Sequence, residues 1–168
     1  MNRLIDLSKL TVRVGTYQTG NTEALLDTSL LQRTRMRRRQ LGRMMTAYDP
    51  PTATKRLPSA DYVVTRKVDG EFTCLFYNEG SGMTMNPGGT IRTGAPFHEE
   101  AASALAAAGV RTAMLAGELY VRRADGGRSR VHDVVRVARA PQTQEEVDQL
   151  CLAVFNIYEI DGEDPSMH

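Results

Sequence analysis

The pattern that most constrains this chain lies after Asp61, where strand-like runs are broken by glycine turns and helical segments fall between them at irregular intervals. Tyr62 to Val68 is β-branched and alternating, Gly70 interrupts it, and Glu71 to Tyr77 resumes it, which predicts two antiparallel strands joined near Asp69 and Gly70. Asn78 to Gly82 is turn chemistry, and Met83 to Met85 and Thr90 to Arg92 bracket a second turn at Pro87, Gly88 and Gly89. Pro96 to Ala108 reads as a helix with acidic residues in its first turn and Gly109 as its stop. Arg111 to Arg123 reads as a strand and residues 124 to 127 (ADGG) as a loop. Val131 to Ala138 and Thr143 to Leu150 read as helices, the second opened by Thr143 with Glu146 three residues on. Leu152 to Ile160 is the last strand. Strands and helices do not alternate regularly, so the expected class is α+β, with mixed, largely antiparallel sheets flanked by helices rather than a doubly wound parallel sheet.

The first fifty residues read differently. Leu10 to Val14 is a possible strand closed by a turn at Gly20 and Asn21. Asn21 or Thr22 could cap a helix running through Met45, with Leu25, Leu26, Leu30, Leu31 and Leu41 at roughly helical spacing. Within it residues 33 to 39 (RTRMRRR) form the one strong charge block. Arg33, Arg35, Arg37, Arg38 and Arg39 are either a solvated helix face or a patch that contacts nucleic-acid phosphates. Pro50 and Pro51 end the segment, since neither ring continues a helix, and Asp49 to Leu57 reads as a connector. This divides the chain into an N-terminal helical segment with the basic cluster, 1–52, and a main domain, 53–168.

A length of 168 residues suits a domain able to bury a real core, and a formal charge of +1 leaves electrostatic arguments to local clusters. Cys74 and Cys151 stand apart without His or Cys at ligand spacing, which suits a reduced interior and argues against zinc or a disulfide scaffold. The start, MNRLIDLSKL, lacks the apolar core and small-residue cleavage pattern of a leader, and no run approaches the roughly eighteen apolar residues that cross a membrane. A soluble, cytoplasmic protein without a membrane partner is expected.

Side chains alternate along a strand, so residues that share a face can be grouped. Val63, Thr65, Lys67 and Asp69 share one face, as do Met114, Ala116, Glu118 and Tyr120, whereas Leu115, Leu119 and Val121 on the opposite face read as core. Ala153, Phe155 and Ile157 share a face of the last strand, where Phe155 alone reads as core. Glu118 is an exposed or ion-paired acid, or a functional one. Lys67, beside a turn, is an exposed edge residue or a positioned nucleophile. His98 and His132 have no Ser or Cys partner in a triad context and read as structural or surface residues.

Four segments taken in order bear on those alternatives: Lys67-Val68-Asp69-Gly70, Ile91-Arg92-Thr93-Gly94, Gly117-Glu118-Leu119-Tyr120, and Phe155-Asn156-Ile157-Tyr158 with Asp161-Gly162. Together they resemble the first four motifs of the covalent nucleotidyltransferases, which comprise ATP-dependent DNA ligases, RNA ligases and mRNA capping enzymes. The resemblance covers about Met44 to Glu163 and is greatest to the adenylation domain of the ATP-dependent DNA ligases. It implies the N-terminal part of an ATP-grasp-like nucleotidyltransferase domain, with ATP and Mg2+ as cofactors and nicked DNA, or RNA, as partner. It also implies that Lys67 attacks the α-phosphate of ATP, releases pyrophosphate and carries AMP through a phosphoramidate bond. Attack requires a neutral amine, favoured by partial burial or by nearby positive charge, including bound metal. Thr65 and the backbone at Arg66 and Val68 would meet adenine, and Phe155 would stack on its face. Glu118 would hold the ribose hydroxyl or a metal-bound water, Arg92 would lie near sugar and phosphates, and Asp69 would orient the lysine or water around magnesium. AMP would then pass to a 5′-phosphate, and the neighbouring 3′-hydroxyl would seal the nick.

Two departures from the family pattern stand out. The ligase form of the first motif continues K-x-D-G-x-R, and Phe72 stands at the arginine position without the charged contacts of a guanidinium. The family's later motifs, a metal-binding glutamate and a lysine-rich strand that grips the α-phosphate, and the oligonucleotide-binding domain that follows them, are expected in a missing C-terminal half. The alternatives are an RNA ligase of the same superfamily, which the residue at 72 favours, and an inert nucleotide-binding remnant that serves as a binding module.

Overall fold

In the computed structural model, which describes residues 2–57, 61 and 67–165, seven strands form one antiparallel sheet. The strands are β1 (Thr11–Val14), β2 (Tyr17–Gly20), β3 (Glu71–Asn78), β4 (Ser81–Met85), β5 (Ile91–Thr93), β6 (Thr112–Val121) and β7 (Leu150–Ile160), in the spatial order β1-β2-β5-β4-β3-β6-β7. Five helices accompany them: α1 (Ser29–Met44), α2 (Pro50–Arg56), α3 (Pro96–Ala107), α4 (Val131–Arg139) and α5 (Gln144–Asp148). The fold is α+β. Among the described residues no helix is long and apolar enough to cross a membrane.

Local chemistry accounts for most of these elements. The β3–β4 hairpin turns through two residues, Glu79 and Gly80, both at positive φ, the combination that matches the twist of the flanking strands. Thr143 caps α5 by accepting the Glu146 N–H. The long β6–β7 pair runs from Ala113 opposite Ile160 to Val121 opposite Leu150 and absorbs two bulges. Its far end is closed by Asp161, at φ 51°, whose carboxylate accepts the N–H groups of Arg111 and Thr112 at 2.8 Å each.

The N-terminal third departs from expectation in four places. The helix foreseen from Asn21 begins only at Ser29, because residues 24 to 26 bond to the first residues of the chain: Asp6 N–H donates to Ala24 and Leu26 N–H to Leu4. Asn21 caps a single 3-10 turn, Thr22–Ala24, instead. Pro50 and Pro51 start α2 rather than forming a connector, since the first helical positions need no N–H bond and the Asp49 carboxylate accepts the Thr52 N–H at 2.9 Å. The sheet does not break at residue 52: β2 pairs with β5, so segments on both sides of that position share one sheet. Strand β2 was not foreseen, yet it supplies Tyr17, fully buried with its hydroxyl donating to the Ala138 carbonyl at 2.7 Å.

Both faces of the sheet are covered. On one, Leu4, Ile5, Leu25 and Leu30 pack over Phe76, Met83, Met114 and Ala116. On the other, α3 covers Leu75, Tyr77, Ala113 and Leu115, while Val134, Val137 and Val147 cover Leu119, Val121 and Leu150. Only the second of these was expected as core. Met114 and Ala116, on the Glu118 side, are equally buried because α1 and the N-terminal residues cap that face. Cys74 is buried and Cys151 partly so, both as free thiols, and burial pushes the Cys74 thiol up to about 12.

His98, in the first turn of α3, points into the core and is 3% exposed. Its Nδ1 accepts the Ala95 N–H at 3.2 Å, which fixes the neutral ring so that Nε2–H donates to the Thr84 hydroxyl at 3.1 Å. Burial, with nearby Arg92 adding to it, lowers its pKa to about 3. Above the unfolded-state value of about 6.5 the ring is neutral in both states; below it the unfolded chain takes up a proton that the folded chain refuses until about pH 3. Stability is therefore expected to fall as pH drops from 6.5, with a slope approaching 1.4 kcal/mol per pH unit. Chemical denaturation at pH 6.5 and 5 tests this: the drop should shrink in His98→Asn, even if that variant is less stable at neutral pH.

Candidate active site

The segment Lys67 to Gly70 leads directly into β3 and ends against the middle of the molecule. A Cβ on Gly70 would come within 2.1 Å of the Leu119 carbonyl oxygen and 3.0 Å of Glu118 Cγ, so only glycine lets this turn lie against β6. The β3–β6 register then sets Phe72 opposite Glu118. Because side chains alternate, Phe72 and Glu118 emerge on the same face as Met114 and Ala116, at the end not covered by the N-terminal residues.

Glu118 is the pivot of this corner. Burial raises its carboxyl above the ordinary value, opposed by the nearby Gly70 N–H and by the charges of Lys67 and Arg38. Lys67 is extended toward solvent, its side chain 83% exposed, with Nζ 3.9 Å from Asp69 Oδ1. Partial burial, one of the two expected means of favouring a neutral amine, is thus not in place. Asp69 is shared, because its other oxygen meets Arg128 at 3.5 Å. Val68 lines the same groove as Lys67.

Phe155 is 45% exposed, on the bulged stretch of β7 where Ala116 and Gly117 change register, and is not the core residue its strand position suggested. Its ring stands 6.2 Å from that of Phe72, tilted at 45°. Above Phe72 lies the Arg38 guanidinium, 5.2 Å from the ring centroid. Two aromatic faces, a guanidinium and a half-buried carboxylate therefore meet beside the loop that carries Lys67. A planar, π-bearing ligand with a hydroxylated or charged appendage suits such a corner. Arg38 is the member that sequence reasoning placed elsewhere, in a cluster read as either a solvated helix face or a phosphate-contacting patch. Its signal lay in the helical register of α1, legible only once the helix is known to pack on the Phe72 face.

The rest of that cluster holds α1 on the sheet. Arg33 pairs with Glu159, Arg37 pairs with Asp164 at 3.3 Å and stacks 5.0 Å over Tyr158, and Arg35 donates to the Pro87 carbonyl at 2.9 Å. These contacts occupy three of the guanidinium groups of the cluster that read as either a solvated helix face or a phosphate-contacting patch. Arg39 is exposed.

Arg92 lies on the opposite face of the sheet from Phe72 and Glu118. It is 4% exposed, its Nη2 lying 2.8 Å from Glu71 Oε2, and its Nε and Nη1 are buried without hydrogen-bond partners among the described residues. Gly94, the last residue of its segment, sits at φ 76° with room for no Cβ against the Thr16 carbonyl, which packs this segment against the turn before β2. Arg92 therefore does not join Lys67, Glu118 and Phe155. Thr65 and Arg66, with most of the expected first strand, lie outside the described residues.

Among the described residues no three His, Cys, Asp or Glu side chains come together to hold a metal. Asp69 and Glu118 offer two carboxylates near Lys67, and the charge of Asp69 adds to the upward push on the Glu118 carboxyl. That set suits Mg2+ bound jointly by protein carboxylates and phosphate oxygens, and does not suit an all-protein cage. The chain matches no family model and no curated relative.

Two outcomes follow from this geometry. Arg92→Ala leaves Glu71 partly buried without its partner and is expected to lower stability by about 3 kcal/mol, readable in denaturant titration. Glu118→Gln removes a carboxylate whose charged form is disfavoured by burial. The raised value means that stability is lost as pH climbs past about 4.3, where the unfolded glutamate ionises. The variant should therefore melt higher than the wild type at pH 7, with the gap closing below that value.

Proposed function

We propose that this chain is an adenylation domain of an ATP-dependent polynucleotide ligase acting on nicked DNA, with Lys67 as the nucleophile. The observation that carries the reading is the convergence of Lys67 and Glu118 through the Gly70 turn, with Phe155 and Phe72 presenting exposed ring surface beside them. Four motif-like segments in order agree with it. Arg92 does not, since it is committed to Glu71 on the other face.

In this reading adenine lies against Phe155, and Glu118 accepts a hydrogen bond from a ribose hydroxyl or orients a metal-bound water. The lone pair of Lys67 Nζ attacks the α-phosphorus in line with the departing oxygen, forming the nitrogen–phosphorus bond as pyrophosphate leaves. Mg2+, held by Asp69 and Glu118 together with phosphate oxygens, would supply charge neutralisation to the transferring phosphoryl group. Asp69 orients the Lys67 side chain, and Arg38 over Phe72 brings a guanidinium to the neighbourhood that lacks an arginine at position 72. The nucleotide is then handed to a 5′-phosphate. A cytoplasmic setting belongs to the same proposal.

Incubation with ATP labelled at the α-phosphate, in the presence of magnesium, tests the reading. An acid-labile adduct is expected on the wild type, none on Lys67→Ala, and a rate lower by about a hundredfold on Glu118→Gln. An adduct that survives in Lys67→Ala would sink the assignment. Competition between nicked DNA and nicked RNA for the adenylated protein separates the two substrate classes.

A further inference from the structure

Beyond Lys67 the loop between β6 and α4 folds back on the sheet and creates two adjoining hollows, of ≈ 230 Å³ and ≈ 590 Å³, which share Asp69, Arg123, Gly127 and Arg128 as walls. The loop is held in shape. Ser129 is buried, its hydroxyl accepting the Val121 N–H at 3.2 Å, and Asp125 takes both the Arg123 guanidinium and the Gly127 N–H. Arg123 is thereby neutralised within the loop. Lys67, Arg122, Arg128 and Arg130 remain around the hollows and face one lining carboxylate, Asp69. Arg122 and Arg130 enter no ion pair among the described residues. The first turn of α4, at Val131 and His132, forms the far wall, and Asp133 in that turn lies 3.8 Å from Arg123, which adds to the neutralisation of that arginine.

Like charges gathered around one groove repel one another, and a bound polyanion relieves that repulsion. We propose that this groove binds the β- and γ-phosphates of a nucleoside triphosphate whose α-phosphorus faces Lys67, with Arg128 and Arg130 as the principal contacts. The identity of the ligand as ATP rests on the function proposed above; the polyphosphate site itself rests on the groove. The direction fits the chemistry. When the Lys67 nitrogen–phosphorus bond forms, the bond from the α-phosphorus to the bridging oxygen breaks, its electron pair leaves with pyrophosphate, and the proton of the amine passes to solvent. Negative charge grows on the departing group, which is where the arginines stand. Asp69, paired with Lys67 and Arg128 at once, holds nucleophile and groove in one frame.

The test uses the full chain and three probes: inorganic tripolyphosphate, ATP and AMP. Arg128 and Arg130 are exposed, so Arg128→Ala/Arg130→Ala is expected to fold, and its melting temperature checks this. The double variant should bind tripolyphosphate and ATP about tenfold or more weakly, and AMP within about twofold of the wild type. Equal losses for ATP and AMP, or unchanged tripolyphosphate binding, would overturn the proposal. So would a variant that loses affinity for nicked duplex DNA while keeping tripolyphosphate, since the loop would then be a nucleic-acid surface. A wild type that binds tripolyphosphate through these arginines yet forms no lysyl adduct removes the catalytic reading and leaves the site standing. A wild type that forms the adduct at the same rate as the double variant does the reverse.

Discussion

The antiparallel pairing of β3 with β6 is the contact on which the rest of this molecule depends. It runs unbroken from Glu71 opposite Leu119 to Asn78 opposite Thr112, and it is the central ladder between β4 and β7. Its entry is set by Gly70, pressed against the β6 backbone too closely for any side chain. A one-residue slip would turn Phe72 to the face of Leu75 and send Glu71 to the face of Met114, exchanging a charge for an aromatic ring in both cores. The candidate site is thus a consequence of register: Glu118 faces its neighbours because Phe72 is opposite it, and Lys67 is near both because Gly70 must follow.

That dependence explains how much could be read from the residues alone. Strands β3, β6 and β7 and helices α3, α4 and α5 carry their own alternation, caps and stops, so they were legible as local patterns. Strand β2 was not, because Tyr17 to Gly20 has little β-branched character and owes its state to Tyr17 filling the core under α4. The late start of α1 is likewise tertiary: residues 24 to 26 have leucines at helical spacing but bond to Leu4 and Asp6 instead. Exposure of Phe155 could not be read either, since the bulge that turns it outward belongs to the pairing of two strands and not to one.

The arginines make the same point about site residues. Position and sign are visible in a sequence; the partner is not. Arg33 and Arg37 became anchors because β7 and the turn after it carry Glu159 and Asp164 along the path of α1. The loop after β6 looked like turn chemistry, but the return of Ser129 to Val121 lines up Arg128 and Arg130 beside Lys67, sixty residues away in the chain. Residues contiguous in sequence were therefore poorer guides to a cationic groove than residues gathered by the sheet.

Two guanidinium groups stand on opposite faces near the start of β3, and the pair of residues Glu71 and Phe72 explains both. Glu71 points to the α3 side and draws Arg92 into the core, where a buried arginine needs a carboxylate to offset its desolvation. Phe72 points to the α1 side and offers a ring face over which Arg38 sits without being neutralised. An arginine at position 72 would compete with Arg38 for Glu118 and would put two like charges into one corner. Phenylalanine there leaves the corner with one guanidinium, one half-buried carboxylate and aromatic surface. The ring at position 72 and the placement of Arg38 are consequently one feature: a strand residue offers the face over which a guanidinium from α1 is held.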